Sequence, residues 1–93
     1  LSKDVQCKIV EKMLRDLSQR LEKNNIRVEF TDNLKQYVLD NSYNTTYGAR
    51  PIKRFIQKNI ETLLAKSIIS SEIVPYKHYL VDFVDGNISI KNA

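Results

Sequence analysis

Glycine, proline, cysteine and histidine are all scarce in this chain of 93 residues: two glycines, two prolines, one cysteine, one histidine and no tryptophan. Each scarcity excludes something. A P-loop needs two closely spaced glycines followed by Lys and Ser or Thr, and a dinucleotide-binding turn needs three glycines. Gly48 and Gly86 can build neither. The single Cys7 forbids an internal disulfide, and with the single His78 it excludes a His/Cys zinc site within the chain. No apolar run approaches the roughly 18 residues of a membrane span, and no signal-peptide pattern opens the chain. Acidic residues are missing altogether between Asp40 and Glu61.

What remains is ordinary for a globular domain: 42% hydrophobic and 28% charged residues. The length fits one small domain with one core, spanning residues 1–93. Opening on Leu1 rather than Met, the chain reads as a fragment of a longer one. Fifteen basic against eleven acidic side chains give a net charge of +4, a mild bias that says little by itself about a polyanionic partner.

Apolar residues at Val5, Ile9, Val10, Met13, Leu14, Leu17 and Leu21 recur at helical intervals and predict a first helix. Ser2 serves as its N-cap, and Asn24-Asn25 ends it. Ile26–Phe30 alternates apolar and charged and reads as a half-buried strand. Thr31 caps a short helix with Leu34, Tyr37 and Val38 on its inner face, broken at Asp40-Asn41-Ser42. A polar loop with two tyrosines covers residues 42–49. Pro51 then suits the first position of a third helix, whose stripe of Ile52, Phe55, Ile56, Ile60, Leu63, Leu64 and Ile68 ends near Ser70. Residues 78–84 read as a strand, and Asp85-Gly86 as a tight turn into a return strand carrying Ile88 and Ile90. The expected fold is α+β, in the order αβααββ, with three helices and a small, mostly antiparallel sheet.

The chemistry concentrates in the acid-free stretch, which holds Arg50, Lys53, Arg54 and Lys58. A helix N-terminus already carries roughly half a positive charge, so Arg50 at the cap is unfavourable for the helix and asks for a compensating anion. Its forked guanidinium matches phosphate. Gly48 supplies a bend with positive φ, and the following proline pushes the Arg50 backbone out of the helical region. On residue chemistry alone, a solvated charge or a carboxylate partner is the simpler account of Arg50.

Tyr47-Gly48-Ala49-Arg50-Pro51-Ile52-Lys53-Arg54, followed by Ile56, Ile60-Glu61 and Leu64-Ala65, resembles the C-terminal small domain of the second AAA+ module of ClpB-type disaggregases. Arg20-Leu21-Glu22, Thr31-Asp32, Val81-Asp82 and Asp85-Gly86 also fall in step with that family. The resemblance spans essentially the whole chain, and its octapeptide is shared by several branches of Clp ATPases. It implies an α+β lid that follows a large ATPase domain. It also implies that Arg50, supported by Gly48, Ala49 and Pro51, is the sensor-2 arginine contacting the terminal phosphates of ATP, with Mg²⁺ and the catalytic groups in the parent chain. The isolated domain is then not catalytic. The implied partners are the large domain, neighbouring subunits of a homohexamer, and unfolded or aggregated protein; the compartment is cytoplasm or an organelle of bacterial origin.

In such lids the first helix lends apolar contact near the adenine, on the face where Ile9, Val10 and Met13 fall; core packing is the alternative for all three. Lys53 and Arg54 contact an adjacent subunit or are solvated. Where the family reads Gly-Tyr-Asp-Pro-x-Tyr, this chain has Ser42-Tyr43-Asn44-Thr45-Thr46-Tyr47, so the loop lacks its stiffening proline and Arg50 is expected to be held more loosely. The family's Pro-Gly turn before the hairpin is Pro75-Tyr76 here. Two other readings stay open: the lid of a protease-associated Clp ATPase, and a basic interaction domain. Single-stranded nucleic acid on Tyr43 and Tyr47 is the weakest alternative. His78, with no nucleophile arranged around it, reads as structural.

Overall fold

The computed structural model describes residues 2–93. Helix α1 spans Lys3–Glu22, strand β1 Arg27–Phe30 and helix α2 Asp32–Ser42. The third helical rod is continuous but not uniform: α3 (Arg50–Phe55), a π-helical segment (Ile56–Glu61) and α4 (Thr62–Ile69). Strands β2 (His78–Val84) and β3 (Asn87–Asn92) follow. Among the described residues this is an α+β domain of three helical rods and one three-stranded sheet.

The sheet order is β1-β2-β3. β1 runs parallel to β2, with Val28 beside Tyr79 and Phe30 beside Val81. β2 and β3 are antiparallel, with Val81 opposite Ile90 and Phe83 opposite Ile88. The sheet is therefore mixed, one parallel and one antiparallel pair, because a long crossover carries the chain from β1 through α2 and the third rod before β2. The hairpin turns on Asp85 (φ 51°) and Gly86 (φ 79°), the two left-handed residues that match the twist of the strands.

One core joins the elements. Val10, Leu14 and Leu17 of α1, Leu34 and Val38 of α2, Ile52, Ile60 and Leu64 of the third rod, and Val28 and Val81 of the sheet are all buried. Each such side chain contributes about 1.5–3 kcal/mol by leaving water. Tyr37 stacks on Phe83 with ring centroids 4.1 Å apart and meets Phe55 edge-on at 5.4 Å, which pins α2 between α3 and β2.

The π-helical segment has a reason in the sequence. Ile52, Ile56, Ile60 and Leu64 are four apart and all buried. In an α-helix each step of four overshoots a full turn by about 40°, so three steps drift by about 120° and carry the last residue off the face. The wider i→i+5 turn takes back part of that drift. The Thr62 N–H bonds the Gln57 carbonyl, and the Thr62 hydroxyl donates to the same oxygen at 2.9 Å. Asn59 donates its amide to the Phe55 carbonyl at 3.1 Å, satisfying another oxygen loosened by the wide turn.

Boundaries moved slightly from the sequence expectation. α2 continues through Ser42, whose buried hydroxyl donates to the Val38 carbonyl at 2.6 Å. The third rod begins at Arg50, one residue before Pro51. The residue preceding the proline is thus inside the helix and not pushed out of it: Ala49 already has helical angles (φ −81°, ψ −18°), and its carbonyl accepts the Lys53 N–H.

Candidate functional site

Residues 43–49 lead from α2 into the third rod, and one side chain organises them. The Asn44 amide oxygen accepts the backbone N–H groups of Thr46, Tyr47 and Gly48. Its amide nitrogen donates to the carbonyls of Ser42 at 3.3 Å and Gly48 at 3.1 Å. Asn is favoured in such turns because a short amide can stand in for backbone partners. Gly48 takes the left-handed conformation (φ 66°) that turns the chain into the helix. The loop is fastened from outside as well. Gln6 of α1 accepts the Asn44 N–H at 3.2 Å and donates to the Asn44 carbonyl. The ammonium of Lys3 lies 5.8 Å from the Tyr43 ring centroid. The loop is thus held by amide bonds.

Arg50 stands at the first position of the rod with its side chain exposed. No side chain caps this helix start, and its first turn holds no acid. Among the described residues no carboxylate pairs with Arg50, Lys53, Arg54 or Lys58. Four successive residues along one helix advance about 6 Å, so Arg50, Arg54 and Lys58 form a ladder about 12 Å long. The ladder lines an open groove with Tyr47, Pro51 and Phe55. Tyr47 is 71% exposed there.

Lys53 points elsewhere. It lines a second groove between α1 and the third rod with Met13 and Ile56, closed at one end by the ion pair of Arg20 with Glu61. Lys53 and Arg54, neighbours in sequence, therefore serve two different faces. The three apolar positions of α1 also separate. Val10 is 1% exposed and belongs to the core, whereas Ile9 and Met13 are half-buried and present surface. His78 sits 3.5 Å from Glu29 on the outer face of the sheet, remote in sequence and role from the arginine loop.

A second polar cluster braces α2. The Thr31 hydroxyl accepts the Leu34 N–H as helix cap and donates to Asp82 at 2.6 Å. The Phe83 N–H also bonds that carboxylate at 2.8 Å. These two bonds, Thr31 first, hold the Asp82 carboxyl below its ordinary range, against a partial desolvation that would raise it; Lys91, 3.8 Å away, adds to the lowering.

The sequence pattern singles out Arg50 and Gly48 but not the residues that hold their loop. Gln6 was the available signal: it continues the inward stripe of Val10, Leu14 and Leu17, and a polar residue on an apolar stripe asks for buried partners. It is fully buried.

The fold is that of a small α+β domain of the AAA+ lid type, with an arginine at a helix start. Residues 1–81 match the family model of the C-terminal, D2-small domain of ClpB protein, and the chain belongs to that family. Residues 82–93 finish β2 and form β3. The chain is 43% identical over 83 residues to the chaperone protein ClpB of Clostridium perfringens, covering 89% of this chain and 10% of that one. It is 40% identical over 82 residues to ClpB of Malacoplasma penetrans (88% and 12%), and 39% identical over 90 residues to ClpB of Mycoplasma genitalium (97% and 13%). It thus spans roughly a tenth of the length of these curated relatives.

Proposed function

We propose that this domain is the lid of a ClpB-type AAA+ chaperone and that Arg50 is its nucleotide sensor, reaching the terminal phosphates of ATP held by the large ATPase domain that precedes it in the parent chain. The observation that carries this reading is the exposed, unpaired Arg50 at an uncapped helix start. A permanent cation placed on the positive end of a helix is costly without an anion, and phosphate answers both the charge and the fork of donors. The chain fits one side of such a site only: it offers a cation and helix N–H groups, but no glycine-rich cradle and no cluster of acids suited to a metal among the described residues. Mg²⁺, the cradle and the hydrolytic groups belong to the large domain, where the bound nucleotide supplies the cleavable phosphate.

Arg50 then ties lid to base while a terminal phosphate is present and releases it afterwards, the logic of a switch held by a γ-phosphate. The difference in its contacts between the two states supplies the free energy that moves the lid. Ile9 and Met13 lie on α1 where they offer apolar surface on the adenine side. Arg54 and Lys58 continue the cation ladder away from Arg50, which suits an acidic face of the next subunit in a hexameric ring. Lid motion would thereby couple neighbouring ATP sites and drive the threading of unfolded or aggregated protein.

The test is Arg50→Ala in the parent chain with its other ATPase module inactivated. Loss of a charge-assisted hydrogen bond weakens ATP binding by about 1.5–3 kcal/mol, and turnover falls with it. Unchanged affinity and turnover would remove the sensor assignment.

A further inference from the structure

Gln6 lies in the second turn of α1, at 0% exposure, where an apolar residue would extend the stripe of Val10 and Leu14. A buried amide is tolerated only when both of its halves are bonded. Both halves reach one residue of the loop: the Gln6 oxygen accepts the Asn44 N–H and its nitrogen donates to the Asn44 carbonyl. Asn44 in turn gathers the N–H groups of Thr46, Tyr47 and Gly48 and donates to the Gly48 carbonyl. Two residues beyond Gly48 stands Arg50. A continuous run of hydrogen bonds thus joins the body of the first helix to the residue that bends the chain into the arginine.

We infer that Gln6 and Asn44 are positioning residues that lock the placement of Arg50 to the orientation of α1. Asn44 gives the arginine loop a single shape. Gln6 gives that shape a fixed relation to α1, so that rotation of α1 carries the guanidinium with it. The inference rests on the reading of Arg50 as a sensor, and it adds that the sensor's reach is set by residues that touch no nucleotide.

The experiment uses the parent chain with its other ATPase module inactivated, and measures binding of a fluorescent ATP analogue by single and paired variants. Arg50→Ala is expected to weaken binding roughly 10- to 100-fold. Asn44→Ala, which removes the side-chain bonds of the loop, and Gln6→Leu, which removes the bonds to the Asn44 backbone, are each expected to weaken it roughly 3- to 10-fold, as fits the loss of ordinary hydrogen bonds. Asn44→Asp keeps an oxygen for the three N–H groups but loses the donors to Ser42 and Gly48, and is expected to bind between Asn44→Ala and the native chain. The double variant Asn44→Ala with Arg50→Ala is expected to bind no worse than Arg50→Ala alone, because Asn44 acts only through the arginine. A structural role alone gives the same loss in both backgrounds, and that result would overturn the inference. So would an Asn44→Ala chain with unchanged circular dichroism that binds normally. If Asn44→Ala does not fold, Asn44→Ser carries the same comparison. If Arg50→Ala binds normally, the sensor reading fails and takes the positioning role with it. If Arg50→Ala is weak while neither Asn44→Ala nor Gln6→Leu is, the sensor stands and the positioning role alone falls.

Discussion

The three helical rods begin in two different ways. α1 and α2 are each capped by a hydroxyl: Ser2 accepts the Val5 N–H, and Thr31 accepts the Leu34 N–H. Each also has an acid in its first turn, Asp4 and Asp32. Both starts are satisfied from their own sequence. The third rod starts on Ala49 with no side-chain cap, no acid, and a cation at its first position. Local propensity is obeyed twice and broken once, and such a break is where function is expected. The broken start is nevertheless held firmly, since Asn44 and Gln6 fix the loop that leads into it. The domain pairs an unmet charge with a well-met backbone, which is what presentation of a side chain to an outside anion requires.

The comparison can be broken from its satisfied side. Thr31→Ala removes a cap and leaves Asp82 without its shortest hydrogen bond. We expect a loss of about 1–2 kcal/mol in unfolding free energy, seen by denaturant titration, with nucleotide affinity of the folded chain unchanged. A loss below a few tenths of a kcal/mol would mean that the cap does not stabilise α2.

The unsatisfied side should respond in the opposite sense. Ala49→Asp supplies the missing acid beside Arg50 at the positive end of the helix. It is expected to raise stability by about 0.3–1 kcal/mol while weakening ATP binding in the parent chain, because the new carboxylate competes for the guanidinium. Gain of stability with unchanged ATP affinity would contradict the account of Arg50.

A smaller effect concerns acid. The folded carboxyl of Asp82 sits below its ordinary value of 3.8 because Thr31 and Phe83 bond its ionised form. Its contribution is therefore present above pH 4 and is lost as pH falls through the lowered folded value. Melting temperatures measured from pH 6 down to pH 2 should fall less steeply for Asp82→Asn than for the native chain in the acid limb. Parallel curves would show that Asp82 is not linked to folding.

Much of this was legible in the residues. Period-two alternation in 26–30 and 78–84 located β1 and β2, Asp85-Gly86 located the hairpin, and Ser2 and Thr31 located two helix starts. These are local signals carried by adjacent residues. The Gln6–Asn44 clasp spans 38 positions, and nothing in a local pattern pairs two amides at that distance. The π-helical segment escaped for a related reason: apolar spacing by four reads as an ordinary helix until the burial of Ile52, Ile56, Ile60 and Leu64 on one face is seen. The split of Lys53 from Arg54 depends on which groove each helix face meets, a property of packing.

The most direct measurement compares ATP with ADP. In the parent chain with its other ATPase module inactivated, dissociation constants for both nucleotides are measured with Arg50 intact and with Arg50→Ala. A sensor of the terminal phosphate predicts a large loss of affinity for ATP and a much smaller loss for ADP, so that the preference between them collapses. Equal losses for both nucleotides, or none for either, would contradict the claim that Arg50 reads the phosphate whose removal frees the lid.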